Sequence, residues 1–343
     1  MKEKLFFFSI KHPLTYTLLL AVVVKILTAI FTDGWLTELT LSGFNNYTIP
    51  GSWLTNPWIV YISRFALGAF SLLIITLAYR ITKIIADKTT ALEIATFAAL
   101  LWGVPYVTVH PFASVVSLPF LLYGTLLILK QNNFLDNNEI EKFHRTSFII
   151  AGFCLGLGFA VCFHSLIYYI GILLALFILK NWKGALMTLI GYLAAVGLTQ
   201  TVVDLVIYHR PFVAVSAFFN DLFIQLGDFT AISRSFETTA IFLLVLLVPP
   251  MSLMLVFGFF RVFRKYLLLV LPTFLLLLYS IFIFDFLEIL LLMTPTYIIA
   301  GYIGWKEFHK NSAFWTREKL LLRTCYAVFA LLDIALMVSI FFI

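Results

Sequence analysis

Charge is what this sequence has least of. Of its 343 residues only 12% are Asp, Glu, Lys or Arg, and 62% are hydrophobic. Soluble domains carry about a quarter charged residues, so a soluble globule of this length is excluded. Cysteine is also scarce: Cys154, Cys162 and Cys325 lie inside apolar runs with no metal-type pairing. Such thiols read as small core hydrophobes. The chain has no P-loop, no G-x-G-x-x-G turn, no H-E-x-x-H helix and no Cys/His set, which argues against nucleotide binding and zinc chemistry. The period-two alternation of a barrel strand is missing. No internal repeat, low-complexity tract or soluble insert is visible.

What fills the chain is apolar sequence in runs near the ~20 residues that a bilayer crossing requires. They predict an all-α, polytopic transmembrane helical bundle. Spans are expected at 13–31, 57–79, 90–109, 112–129, 147–163, 165–179, 184–205, 238–260, 266–284, 289–305 and 322–343, about eleven in all. The pair 147–163 and 165–179 reads either as two spans turning at His164 or as one long bent helix. His110-Pro111 separates two others, because proline disfavours a helical conformation in the residue before it. Lys2, Lys4 and Lys11 precede the first run as in a signal sequence. No small-residue cleavage site follows, so an uncleaved first span is expected. One transmembrane domain, 1–343, accounts for the whole chain.

The formal charge is +6, but in a membrane protein the placement of charge outweighs the sum. One set of connections, the N-terminus and segments 80–88, 130–145, 180–183, 261–265 and 306–323, holds 19 of the 23 Lys and Arg. The alternate set holds Arg210 and Arg234, and Lys25 and Arg64 fall within spans. The positive-inside rule therefore places the N-terminus in the cytoplasm. The long segments 32–56 and 206–237 then lie outside, together with Asp33, Glu38, Asp221, Asp228, Glu237, Asp285 and Glu288. Long extracytoplasmic segments between tightly connected spans are where function tends to sit. The cytoplasmic stretch 131–145 reads as a solvated connector. Asn46-Tyr47-Thr48 is a glycosylation sequon, meaningful only in a eukaryotic secretory host.

Asp33 follows the first span directly, and a carboxylate at that level can serve as a general base on a hydroxyl. As part of Asp33-Gly34 it also reads as an ordinary turn residue. Glu38 is a second acid in the same loop. Trp35, Trp53 and Trp58 suit either sugar stacking or the interfacial anchoring usual for tryptophan. Arg64 lies about two turns into the second span, where a guanidinium requires a partner or a cavity and its fork suits a phosphate. Lys25 is similar, although its stem can snorkel to the surface. His110 can donate to a phosphate or hydroxyl, or simply mark a helix boundary. In VVDLVIYHRPF, Asp204, Tyr208, His209 and Arg210 gather at the outer end of a span. They suit an anionic sugar-phosphate, or Asp204 and Arg210 pair with each other. Asp285 and Glu288 share a short outer turn.

These segments resemble the polyprenol-phosphate-sugar-dependent glycosyltransferases of the C-type superfamily, nearest the mannosyltransferases of GPI-anchor and lipid-linked oligosaccharide assembly. The resemblance rests on Asp33 after the first span, on SRFALGAFSLL around Arg64, and on HPFASVVSLPFLLYGTLLIL. It rests most on AGFCLGLGFAVCFHSLIYYIGILLALFILK followed by VVDLVIYHRPFVAVSAFFND. It implies inverting transfer of a mannose-like sugar from a polyprenyl-phosphate donor to a lipid-linked or glycan acceptor hydroxyl on the outer face. Asp33 would be the base, Arg64 and His110 would hold the donor phosphate, and Asp204 with Tyr208 would shape the acceptor side. Glu38, His209 and Arg210 join them as substrate-binding candidates. No motif fixes a cofactor, and a divalent metal ion stays open. Expected partners are the lipid-linked donor, the acceptor and membrane lipids, with no nucleic acid. The expected location is the bacterial inner membrane. The competing readings are a transporter or flippase for a lipid-linked or anionic substrate, and a non-catalytic membrane scaffold.

Overall fold

The computed structural model describes residues 13–31, 57–101, 103–109, 112–135, 145–226, 248–282, 286–311 and 319–340. Among these, every regular element is an α-helix. In chain order they are α1 (Pro13–Phe31), α2 (Pro57–Ile85), α3 (Lys88–Leu100), α4 (Gly103–Thr108), α5 (Ala113–Leu135), α6 (Arg145–Val161), α7 (Ser165–Ile178), α8 (Trp182–Tyr208), α9 (Val213–Leu226), α10 (Met251–Arg261), α11 (Leu267–Phe282), α12 (Phe286–Asn311) and α13 (Lys319–Ile340).

Five stretches among the described residues are long and apolar enough to cross a bilayer: Pro13–Ile30, Tyr61–Ile85, Ala113–Asn132, Trp182–Tyr208 and Glu288–His309. Others, including α6, α7 and α11, are apolar but shorter than 18 residues. Several boundaries differ from the sequence expectation. The stretch 90–109 is two helices, because the backbone leaves the helical region at Leu101 (φ −56°, ψ 117°) just before Gly103 and Pro105. The stretch 147–179, by contrast, is two helices that part at Cys162–His164, as the two-span alternative expects. Val213–Leu226, expected within a loop, is helical. The run expected at 238–260 shows helix from Met251 onward, and 238–247 lie outside the described residues, as does the loop 32–56.

The chain forms two compact units. The first comprises Met1–Val115, Leu243–Phe260 and Gly301–Ile343. Its core is built on alanine: Ala91, Ala95, Ala98 and Ala99 of α3 meet Ala21 of α1 and Ile75 and Tyr79 of α2. Small side chains let helices approach closely where lipid provides no hydrophobic drive between them. Glycine serves the same end where α10 meets α12, since a Cβ on Gly258 would stand 1.9 Å from the Gly301 carbonyl oxygen. Lys306 of α12 pairs with Glu93 of α3 at 2.6 Å, and the Tyr302 hydroxyl donates to the same carboxylate at 3.1 Å.

The second unit comprises Val116–Phe242 and Arg261–Ala300. Gly152 and Gly156 of AGFCLGLG hold α6 against α8. A Cβ on Gly152 would lie 1.9 Å from the Thr188 oxygen, and one on Gly156 would lie 2.7 Å from the Tyr192 oxygen. The constant offset of 36 between these partners makes the two helices parallel. On the α7 side, a Cβ on Gly171 would come within 2.4 Å of Pro272 in α11. Polar side chains join the seams, with the Thr125 and Tyr168 hydroxyls 2.9 Å apart and Ser117 donating to the Gly158 carbonyl at 3.0 Å.

Candidate functional site

In α1 the buried positions are Thr17, Ala21, Lys25, Thr28 and Ala29, spaced three and four residues apart along one stripe. Lys25 therefore faces inward and is only 4% exposed. In α2 the corresponding stripe runs through Arg64, Gly68, Ser71 and Ile75, with Arg64 3% exposed. Arg64 Nη1 donates to the Ala29 carbonyl at 3.4 Å, and a Cβ on Gly68 would lie 3.9 Å from Lys25 Cβ. Residues rising in α1 thus meet residues falling in α2, so the helices are antiparallel. At 1.5 Å per residue, Lys25 lies about 9 Å from the Phe31 end of α1 and Arg64 about 10 Å from the Pro57 end of α2. Lys25 stands level with Gly68 and Arg64 level with Ala29, about one turn nearer the Phe31 and Pro57 ends.

Between them is a cavity of about 190 Å³. Lys25 and Arg64 line it together with Ile26, Phe65, Gly68 and Leu72. Ile26 and Phe65 are also 41% and 42% exposed, so the mouth opens on the apolar flank of the unit. Lys25 Nζ donates to Thr108 Oγ1 in α4, and that hydroxyl donates in turn to the Val104 carbonyl at 2.6 Å. Among the described residues the partner of Lys25 is a neutral hydroxyl, Thr108 Oγ1, and no carboxylate. An ammonium buried without a countercharge is costly in hydrocarbon.

The sequence candidates fall in different places. Asp33, Glu38 and His110 lie outside the described residues. Arg64 lines the cavity of the first unit. Asp204, Tyr208, His209 and Arg210 belong to the second unit. There Asp204 is fully buried while His209 and Arg210 are exposed, so Asp204 does not pair with Arg210. Its Oδ2 accepts the backbone N–H of Ala214 at 3.2 Å, which places a negative charge at the positive N-terminal end of α9. His209 ends α8 in the left-handed conformation, φ 56°, and Tyr208 is half-buried. Near the α6–α7 break, the Cys162 thiol donates to Glu288 Oε2 at 3.6 Å. His164 Nδ1 lies 3.1 Å from the Tyr279 hydroxyl, and its ring is edge-on to Phe218 of α9. Asp285 lies outside the described residues.

Among the described residues no three His, Cys, Asp or Glu side chains come together as a metal-holding group. The partner of Arg64 that sequence reasoning left unassigned to the site is Lys25. Its signal was the four-residue spacing Thr17, Ala21, Lys25, Ala29, which marks an inward stripe rather than a snorkelling position. No protein family, curated protein or solved structure matches this chain.

Proposed function

We propose that the chain is a multi-pass membrane glycosyltransferase that takes a mannose-like sugar from a polyprenyl-phosphate carrier and passes it to an acceptor hydroxyl on the outer face. The observation that carries this reading is the cavity of the first unit, apolar and laterally open, with Lys25 and Arg64 buried in its wall. An anionic lipid headgroup attached to an apolar chain has the matching chemistry. In the transfer, the acceptor oxygen attacks the anomeric carbon, and the bond from that carbon to the phosphate oxygen breaks. The acceptor proton passes to a base, and the bonding electrons leave with the carrier phosphate, which gains negative charge. Cations fixed beside that phosphate stabilise the charge as it develops. The resemblance assigns the base to Asp33 and, in an inverting reaction, a single displacement. The bacterial inner membrane suits a lipid-linked donor presented from the outer side.

The test is sugar transfer by the full chain in lipid vesicles, from a radiolabelled polyprenyl-phosphate mannose to an oligosaccharide acceptor. Asp33→Asn is expected to lower turnover by about a hundredfold or more with the fold intact. Unchanged turnover in this variant removes Asp33 as the base. Vesicles that yield no glycosylated product but move the labelled lipid between leaflets favour a transporter instead.

A further inference from the structure

Near its end α8 carries two buried polar side chains, Gln200 and Asp204, 1% and 0% exposed. Four residues apart, they share one face of the helix. Helical side chains lean toward the N-terminus, so the Asp204 carboxylate leans toward the turn that carries Gln200. Val202 and Val206, on the other side, are exposed and apolar. The chain then turns back through the connection 209–212. Ala214, at the start of α9, donates its N–H to Asp204 Oδ2 at 3.2 Å. Four residues on, the Phe218 ring lies 5.3 Å from the rings of both Phe163 and His164 at the α6–α7 break. α9 thus reaches from α8 to that break, and Asp204 is enclosed at its first turn.

Asp204 Oδ1 and Gln200 Oε1 are both buried acceptors that no donor among the described residues meets. A buried acceptor without a donor is costly, and a charged one more so. Holding α9 in place explains Oδ2 and leaves Oδ1 unexplained. Asparagine would hold α9 better. Its oxygen would accept from Ala214, its amide N–H groups would face Gln200 Oε1, and no charge would be buried. What aspartate has beyond asparagine is the negative charge, so the charge itself has a use. The C-terminal end of α8 disfavours an anion about as much as the N-terminal end of α9 favours one, which leaves about one negative charge to be balanced. Among the described residues no group of His, Cys and acids forms there. Both open acceptors are oxygens, which suit a hard cation. A divalent ion beside one carboxylate would leave positive charge buried, whereas a monovalent ion is balanced.

We infer that Gln200 and Asp204 hold a monovalent alkali cation at the α8–α9 corner of the second unit, with Asp204 Oδ1 and Gln200 Oε1 as ligands. The cation neutralises the carboxylate whose other oxygen Ala214 meets, and so fastens α9 to α8. The site is independent of the sugar-transfer reading, and its test contains neither sugar nor lipid phosphate.

The test is thermal unfolding of the purified full-length protein in neutral detergent, at constant pH and ionic strength. Sodium, potassium or calcium chloride replaces choline chloride, whose cation is too large to enter. Wild type is expected to gain about 3 °C in melting temperature for each tenfold rise in sodium or potassium above its dissociation constant. Asp204→Asn keeps the bond to Ala214 and is expected to lose this dependence, while matching or exceeding wild type in choline. Gln200→Met is expected to weaken the apparent cation affinity about tenfold. Gln200→Glu adds a second carboxylate and is expected to respond to calcium in place of the alkali ions. Should Asp204→Asn fail to fold, the Gln200 variants decide. A wild-type melting temperature that is the same in choline, sodium and potassium overturns the site. So does an equal rise in Asp204→Asn, because the ion then acts elsewhere. Stabilisation of wild type by calcium and by neither alkali ion overturns the monovalent assignment. Unchanged alkali-ion dependence in both Gln200 variants overturns the pair as the ligand set, and fits an amide that turns its N–H toward Asp204.

Discussion

Lys25 and Arg64 show how the helical period converts composition into chemistry. A lysine near the end of a span can lift its ammonium to the interface, and the sequence leaves that option open. The stripe Thr17, Ala21, Lys25, Ala29 closes it, because these positions share one face of α1 and that face is packed. The ammonium then finds the Thr108 hydroxyl, a neutral acceptor that satisfies one of its three protons and none of its charge. Lys25→Met keeps the stem and removes the charge. In thermal unfolding of the lipid-free protein this variant is expected to match or exceed wild type, since a buried charge replaced by an apolar group of similar shape is often neutral or stabilising. Its affinity for a lipid phosphate is expected to fall about tenfold or more. A lower melting temperature with unchanged binding would make Lys25 a structural residue. Asp204 carries the opposite charge. Its Oδ2 is met within the fold by the N-terminus of α9, which gives its burial a structural reason.

At the scale of elements, glycine serves the seams. In α6, α8, α10 and α12 it permits backbone contact across them. Gly191→Ala places a Cβ 2.0 Å from the Ile149 carbonyl oxygen, which forces α6 and α8 apart. It is expected to cost about 1 to 3 kcal/mol, the usual range for overpacking. Chemical denaturation in detergent measures this. Gly191→Ala as stable as wild type would show that the α6–α8 seam is looser than its geometry. Helix breaks are the other element-level feature. Leu101 interrupts a run that hydropathy reads as continuous, while the Cys162–His164 turn falls where His164 already offered one. The first break ends α3 and lets α4 carry Thr108 to Lys25.

For the whole molecule, the sidedness of the chain rests on the distribution of its Lys and Arg, a bias that acts during insertion. In a cysteine-free background, a single cysteine at Arg210 is expected to react with a membrane-impermeant maleimide added to intact cells. One at Lys183 is expected to react only after the membrane is opened. The reverse pattern would invert the orientation, and with it the face on which the cavity residues and Asp33 are argued to work. Each unit meets its internal demands separately. The first relies on an alanine-rich core and the Glu93–Lys306 pair. The second relies on glycine seams and hydroxyl pairs.

The sequence alone was enough for the all-helical, membrane-type class. That follows from the long apolar runs and from the cost of leaving backbone polar groups unsatisfied in lipid. It singled out Arg64 for the same reason, since a guanidinium in an apolar run demands an explanation wherever the chain goes. Only the tertiary structure joined Lys25 to Thr108 across 83 residues and turned Asp204 toward α9 rather than Arg210. Each of those depends on which faces of distant helices meet and in what register. Periodicity within one helix says which side is buried, and carries no information about what it is buried against.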